Sequence, residues 1–193
     1  MDRYFDIMFA YINQIWDIPE GDKMVCRLFF KPIQVKKDTI LEPAGKVPMY
    51  HNFIVSGFMR NFHLDEKGNE VTVDLNDGPR FFTSFFHFMN GSVTNENLQC
   101  LTDCELLRIS REDVDRSAAM GKTQKDYTIK VLQQKMEQDK ERINDMGNLT
   151  AEQRYLKLIR NQPNIIRHVP LKYISSYLGI KPESLSRIRK EIT

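Results

Sequence analysis

Near the C-terminus, the segment KPESLSRIRKE from Lys181 to Glu191 sets an acid, hydroxyls and guanidiniums at intervals that gather them on one side of a helix. Leu185 and Ile188 fall on the other side. Arg187 can fork onto the O6 and N7 of guanine, Glu183 can accept from the amino group of cytosine, and Ser184 or Ser186 can reach a base or a phosphate. Arg189 and Lys190, with Lys172 and Lys181 upstream, suit neutralisation of phosphates, which is independent of base sequence and weakened by salt. The chemistry these residues fit is recognition of double-stranded DNA. The plain alternative is a solvated basic helix in a small α-domain.

Other chemistries find little support. Cys26, Cys100 and Cys104 form no CxxC pair, and an odd count argues against a disulfide framework. His51, His63, His87 and His168 are scattered without metal-ligand spacing, so no metal and no cofactor are expected. Nucleophile–base pairs and phosphate loops are missing too, and the chain does not read as an enzyme. No apolar run approaches the roughly 18 residues of a spanning helix. The N-terminus MDRYFDIMFAYINQIW carries acids where a signal peptide would be basic, so a cytoplasmic protein with no membrane partner is expected. With 41% hydrophobic residues, the 193-residue chain can bury a real core. Charge is divided unevenly: residues 150–193 hold nine Lys or Arg against three acids, leaving 19 basic and 23 acidic residues elsewhere. A basic tail on a nearly neutral body points to a polyanion.

The elements that must position the basic helix can be read outward from it. With Gly179 at a turn, Ile174 and Leu178 line the inner face of one short helix, Ile180 plugs the corner, and Leu185 and Ile188 line the second. Glycine accepts the positive φ of such a turn, and Pro182 suits a first helical position. This is the apolar register of a helix-turn-helix, with Ser175 small enough for a close-packed position. A supporting helix is predicted over Thr150–Asn161, opened by a Thr150/Gln153 capping box and facing inward through Ala151, Tyr155, Leu158 and Ile159. Before it, a helix over Thr123–Asp145, opened by Thr123 and Asp126 and stopped at Gly147, carries Ile129, Leu132, Met136, Ile143 and Met146 at heptad spacing, with Asp139 at the skipped position. So narrow a stripe on a polar helix is expected to pack against a copy of itself; packing on the chain's own body is the alternative. Residues 32–110 read instead as short antiparallel strands, the clearest hairpin being FMRNFHLDEKGNEVTVDL around Asp65–Asn69. An amphipathic helix through Phe5, Met8, Phe9, Ile12, Ile15 and Trp16, closed by Pro19, and a shorter one over Asp22–Phe30 precede them. The fold class expected is α+β, with an antiparallel β-roll and its helices over 1–121, a dimerisation helix over 122–147 and a helix-turn-helix domain over 148–193.

That order of parts resembles the Crp/Fnr superfamily of bacterial transcription regulators. FIVSGFMRNFHLDEKGNEVTVDL is similar to the family's strand, glycine turn and hairpin around Gly57 and Gly68, and LQCLTDCELLRISREDV to its last roll strands and following helix. LGIKPESLSRIRK is similar to its DNA-reading segment, most closely in short members of the Bacteroidetes type. The resemblance implies a cyclic-nucleotide-binding-like roll and a homodimer reading a palindromic operator with half-sites about 34 to 36 Å apart. It also brings RNA polymerase and an unidentified small-molecule effector into the set of candidate partners. The competing reading is a β-roll effector-binding or protein-interaction module that does not read DNA.

The sequence departs from the family where cyclic AMP is held by a segment of the type GEL…RSA. Here Thr83, Ser84 and Phe85 stand for GEL, and Thr94, Asn95 and Glu96 for RSA. The phosphate-binding arginine becomes Thr94 and the ribose-binding glutamate becomes Ser84. Losing a charged hydrogen bond worth roughly 1.5 to 3 kcal/mol weakens binding by about one to two decades, so tight cyclic-nucleotide binding is not expected. Arg80 is the nearby cation that could substitute. Phe81, Phe82, Phe85, Phe86 and Phe88 crowd the same stretch and either fill the degenerate pocket, the favoured reading, or line a site for an apolar effector. His87 reads as packed there rather than as a haem ligand. Thr193 follows the basic helix directly, so no β-hairpin wing is expected after it, and the hairpin before the motif looks shortened between Pro163 and Pro170.

Overall fold

The structure is a computed structural model describing residues 2–192. It opens with α1 (Asp2–Ile12), whose Phe5, Met8, Phe9 and Ile12 recur at helical spacing and are all buried. The helix stops a turn earlier than the apolar pattern suggests: after Ile12 the chain bends, and Asn13 Oδ1 accepts from the Ile18 amide at 3.2 Å. α2 (Glu20–Phe29) then leads into the roll. Its strands are β1 (Lys31–Val35), β2 (Ile40–Glu42), β3 (Tyr50–Ser56), β4 (Met59–Leu64), β5 (Glu70–Leu75) and β6 (Arg80–Phe81), followed after a short helix α3 (Phe85–Asn90) by β7 (Asn97–Cys100) and β8 (Cys104–Ser110).

All pairings are antiparallel and form two four-stranded sheets, β1-β8-β3-β6 and β2-β7-β4-β5. The predicted hairpin is β4–β5, its turn held by Asp65 Oδ1, which accepts from the amides of Lys67 and Asn69. Gly57, between β3 and β4, needs to be glycine: its φ is +99°, and a Cβ there would lie 2.6 Å from the Asp103 carbonyl oxygen and 2.7 Å from Cys104 Sγ. Between the sheets, Ile54, Met59, Phe82, Leu98 and Leu106 make one apolar cluster. A second cluster packs α1 and α2 on the outside of the first sheet, over Phe53, Val55, Leu107 and Ile109.

The rest is helical: α4 (Arg111–Met120), capped by Ser110 Oγ accepting from the Asp113 amide, then α5 (Gln124–Asn148), α6 (Ala151–Asn161), α7 (Pro163–His168), α8 (Leu171–Leu178) and α9 (Pro182–Ile192). The mixed α+β architecture agrees with the expected class. Several local expectations are corrected. Thr123 makes no capping box with Asp126; its hydroxyl donates to Asp22 Oδ2 at 2.6 Å, and the amides of Lys122 and Thr123 also donate to that carboxylate. An acid from α2, a hundred positions away, therefore holds the start of α5, where the helix dipole favours negative charge. Gly147 does not stop α5, which runs through Asn148. The Thr150/Gln153 box does form. Where a shortened hairpin was expected before the motif, residues 163–168 form α7, with Pro163 at its first turn. α9 runs to Ile192, the last described residue. Among the described residues, no helix is long and apolar enough to cross a membrane.

Candidate nucleic-acid interface and degenerate effector pocket

α6 to α9 close around a third cluster in which Tyr155, Leu158, Ile165, Ile174, Leu178 and Leu185 are buried and Ile180 and Ile188 partly buried. Gly179 ends α8 in the left-handed conformation, φ 65° and ψ 37°, and the Ile180 amide reaches back to the Ser175 carbonyl oxygen at 3.0 Å. This is a Schellman-type turn that satisfies carbonyls at the end of α8. Ser175 is buried, and its hydroxyl donates to the Lys172 carbonyl. With Leu185 inward, Glu183, Arg187 and Lys190 stand exposed on the far side of α9, while Ser184 and Ser186 flank Leu185 and are half-buried. Lys172 is exposed at the start of α8, and Lys181 is exposed in the turn before α9. Arg189 shares a shallow depression with Leu171, Ser186 and Lys190, nearer the inner side of α9 than Arg187. The geometry therefore separates outward-facing Glu183 and Arg187 from the two serines, whose reach is shorter.

The helix-turn-helix is docked on the roll. Leu75 and Leu101 from the roll belong to its apolar cluster, and Phe58 stacks on His168 with ring centroids 4.7 Å apart. The free edge of β5 is closed by side chains: Ser176 Oγ accepts from the Thr72 amide at 2.9 Å and donates to the Glu70 carbonyl at 3.2 Å. Arg142 of α5 donates to the carbonyl oxygens of Val73 and Tyr177. Covering an edge in this way removes unpaired strand groups from solvent. Arg60, fully buried in β4, lies between the rings of Phe62 and Tyr173, 3.8 and 3.7 Å from their centroids, and pairs with Glu70 at 2.6 Å.

At its start α5 packs Tyr127 against the cluster of α1, α2 and the first sheet, its ring 6.1 Å from that of Phe81, and further along it meets the roll through polar side chains. Lys135 approaches Asp74, whose carboxylate is held below its ordinary range by Arg80 and Lys135 against the opposing effect of burial. The apolar stripe is left outside: Met136 is 72% and Ile143 74% exposed, and Ile129 and Leu132 are exposed as well. Met146 is 44% exposed, and its Cε lies against Gly179. It covers the turn of the helix-turn-helix.

In the roll, Ser84 precedes α3 and Thr94 lies opposite it, their hydroxyls 3.2 Å apart and both buried. Thr94 Oγ1 accepts from the Glu96 amide, and Glu96 accepts from Asn61 Nδ2 at 2.6 Å. Thr83 Oγ1 accepts from the Asn52 amide, and Asn95 lies between Thr94 and Glu96 on the same loop. Arg80, the proposed substitute cation, is committed to Asp74 and lies 4.7 Å over the Phe82 ring. The aromatic run does not act as one group. Phe82 is buried in the cluster between the sheets, Phe81, Phe85 and Phe88 surround His51, and Phe86 is 69% exposed, contrary to the expected crowding. His87 Nδ1 is 2.9 Å from Ser92 Oγ.

Among solved structures, similar folds include FixK2 from Bradyrhizobium japonicum, 16% identical over 84% of each chain with a TM-score of 0.68. The c-di-GMP responsive global regulator CLP of Xanthomonas campestris is 15% identical, with 90% of this chain and 91% of that one covered, at 0.66. The catabolite activator protein of Thermus thermophilus is 14% identical, with 90% and 83% covered, at 0.56. This chain has the fold of the Crp/Fnr regulators. No family model and no curated protein matches its sequence. Against the Crp/Fnr frame, the docking of α8 on β5 and the sandwiched Arg60 are features that periodicity could not reveal, since both rest on polar side chains far apart in sequence.

Proposed function

We propose that the chain is a homodimeric, sequence-specific DNA-binding transcription regulator of the Crp/Fnr type, not controlled by tight cyclic-nucleotide binding. The observation that carries this is α9: Leu185 anchors it in a helix-turn-helix while Glu183, Arg187 and Lys190 face solvent together. In this reading Glu183 and Arg187 read base edges with Ser184 and Ser186 beside them, and Lys172, Lys181, Arg189 and Lys190 hold the backbone. The second subunit would join along Ile129, Leu132, Met136 and Ile143. The 25-residue α5 is about 37 Å long, ample for a paired seam, and dimerisation would present two copies of α9 to successive major grooves. Residues 1–121 serve as the sensor-like unit, 122–147 as the dimer helix and 148–193 as the reading head. RNA polymerase follows as a partner of such a regulator. The buried contact between the Ser84 and Thr94 hydroxyls, with Arg80 engaged by Asp74 and Glu96 beside the loop, supports loss of the phosphate site.

Selection of bound duplexes from a random pool, followed by band-shift on the selected site, tests the reading. Arg187→Ala should cost roughly 5- to 150-fold on the selected site, matching about 1 to 3 kcal/mol for a bidentate base contact, and relax selectivity at one position. Glu183→Ala should relax a different one. If both variants keep undiminished affinity and the same lack of preference, sequence reading by α9 is wrong.

A further inference from the structure

The aromatic segment of the roll has two sides. Phe82 packs between the sheets with Ile54, Met59 and Leu98. On the other side, Phe81, Phe85 and Phe88 border a cavity of about 300 Å³ that is closed by α1, α2, α3, α4 and the first turns of α5. Its walls are chiefly apolar; Ile12, Phe29, Val114 and Tyr127 come from four of those elements, and Trp16 from the turn after α1. The cavity is separate from the degenerate phosphate site, and none of Ser84, Thr94 or Asn95 lines it.

One polar side chain is set into the aromatic wall. His51 stacks on Phe81 at 4.8 Å and on Phe88 at 5.6 Å, and it lines the cavity. Its Nδ1 lies 3.3 Å from Thr83 Oγ1, which already accepts from the Asn52 amide. With the Thr83 hydroxyl donating to Nδ1, the imidazole proton would sit on Nε2 and make that nitrogen a donor toward a ligand. Charge is disfavoured at two of the lining side chains: burial brings the His51 imidazole down to about 4 and pushes the Cys26 thiol up to about 12, while the Asp22 carboxylate is already engaged by Lys122 and Thr123. A cavity of about 150 Å³ admits benzene, so one twice that size admits roughly a dozen non-hydrogen atoms.

We infer that this cavity is the binding site for an uncharged, mainly apolar small molecule of about that size carrying one hydrogen-bond acceptor, which His51 Nε2 receives. An occupant would touch Tyr127 and Thr128, directly before Ile129, the first residue of the exposed stripe on α5. Only the regulatory meaning of that contact rests on the function proposed above; the binding does not.

Calorimetry on the full chain tests the site with 1-tetralone as a neutral ketone, tetralin as its counterpart without an acceptor, and 1-naphthoate as an anion of similar size. Saturable binding of 1-tetralone at one site per chain is expected, with quenching of Trp16, the single tryptophan. 1-Naphthoate should bind at least tenfold more weakly. Ala118→Trp, which places a bulky ring in the cavity, should abolish binding of both neutral probes with the melting curve retained. Should that variant not fold, His51→Phe keeps the aromatic stack and should weaken 1-tetralone roughly three- to tenfold while leaving tetralin unchanged. No saturable heat with 1-tetralone, equal affinity for 1-naphthoate, or 1-tetralone binding indifferent to the folded variants would overturn the inference. Absent heat with an intact band-shift removes this site alone, whereas binding without any band-shift removes the DNA-reading proposal alone.

Discussion

Glu42 stands in β2 with its side chain buried, accepting from Asn52 Nδ2 at 3.1 Å. The second oxygen of that carboxyl, Oε2, and Asn52 Oδ1 both lack a hydrogen-bond partner among the described residues. A proton on Oε2 gives the pair a donor where it now has two acceptors. Burial accordingly pushes the Glu42 carboxyl up to about 7, against an ordinary 4.5, with the hydrogen bonds from Asn52 and Tyr50 and the charge of Arg108 opposing the rise. Below about pH 4.5 both folded and unfolded chains hold the proton. Between 4.5 and 7 the unfolded chain has released it and the folded chain has not, so stability falls as pH rises, and above 7 the loss is complete. At 1.36 kcal/mol per unit, the difference amounts to about 3 kcal/mol. Glu42→Gln keeps the acceptor for Asn52 and is neutral at every pH. Urea unfolding at pH 5 and pH 8.5 should therefore give a variant close to the parent at the lower pH and about 3 kcal/mol more stable at the higher. Thermal melts at pH 8.5 should rise by roughly 6 to 12 °C. Equal stability differences at the two pH values would refute the assignment of a buried, proton-retaining carboxyl.

Other expectations follow from single contacts. Ser176→Ala strips the cap from the β5 edge and should cost about 1 kcal/mol in urea unfolding, with faster hydrogen exchange at the Thr72 amide. Gly179→Ala forces a side chain into a φ of +65° beside Met146, and should lose roughly 1 to 2 kcal/mol and DNA affinity together, read by thermal melts and band-shift. Ile143→Asp, at a position 74% exposed in the isolated chain, should leave the melt of the subunit unchanged and convert a dimer to monomer in sedimentation velocity. Lys190→Ala should weaken all duplexes alike and lower the slope of log affinity against log salt by about one per subunit.

Parts of this fold were legible because their signals are local. The β4–β5 hairpin announces itself through Asp65 to Asn69, where one carboxylate satisfies the amides of its own turn, and the helix-turn-helix through Gly179 with apolar residues at fixed offsets around it. What stayed hidden is held by pairs remote in sequence. Asp22 displaces the expected cap at Thr123 because a folded-state acid from α2 reaches the start of α5. Hydrophobic periodicity located the stripe on α5 but not the face that touches the roll, since that face docks through Lys135 and Arg142. The cavity beside His51 is invisible for the same reason: five helices and three strands contribute to it, and no segment carries its pattern. The run from Phe81 to Phe88 divides: Phe82 packs between the sheets, while Phe81, Phe85 and Phe88 line a separate cavity on the other side.

Charge shows how structure refines a count. Nine basic residues after position 150 suggest a broadly cationic tail. Arg154, however, donates to the carbonyls of Leu178 and Leu149, and Lys157 bridges Glu141 and Asp145. These two cations fasten α6 to the end of α8 and to α5, so they hold the C-terminal helices together. Glu183 is an exposed acid on the outer side of α9, beside Arg187 one turn along. An acid there weakens non-specific attraction to phosphate, an outcome that a merely cationic surface would have no reason to keep. Paired with a guanidinium on the same face, it fits discrimination between base pairs, because it rejects an acceptor edge as strongly as it accepts a donor. The ratio of specific to non-specific affinity, measured at matched salt for the parent and Glu183→Ala, is therefore the quantity on which a reading helix and a sticky one part company.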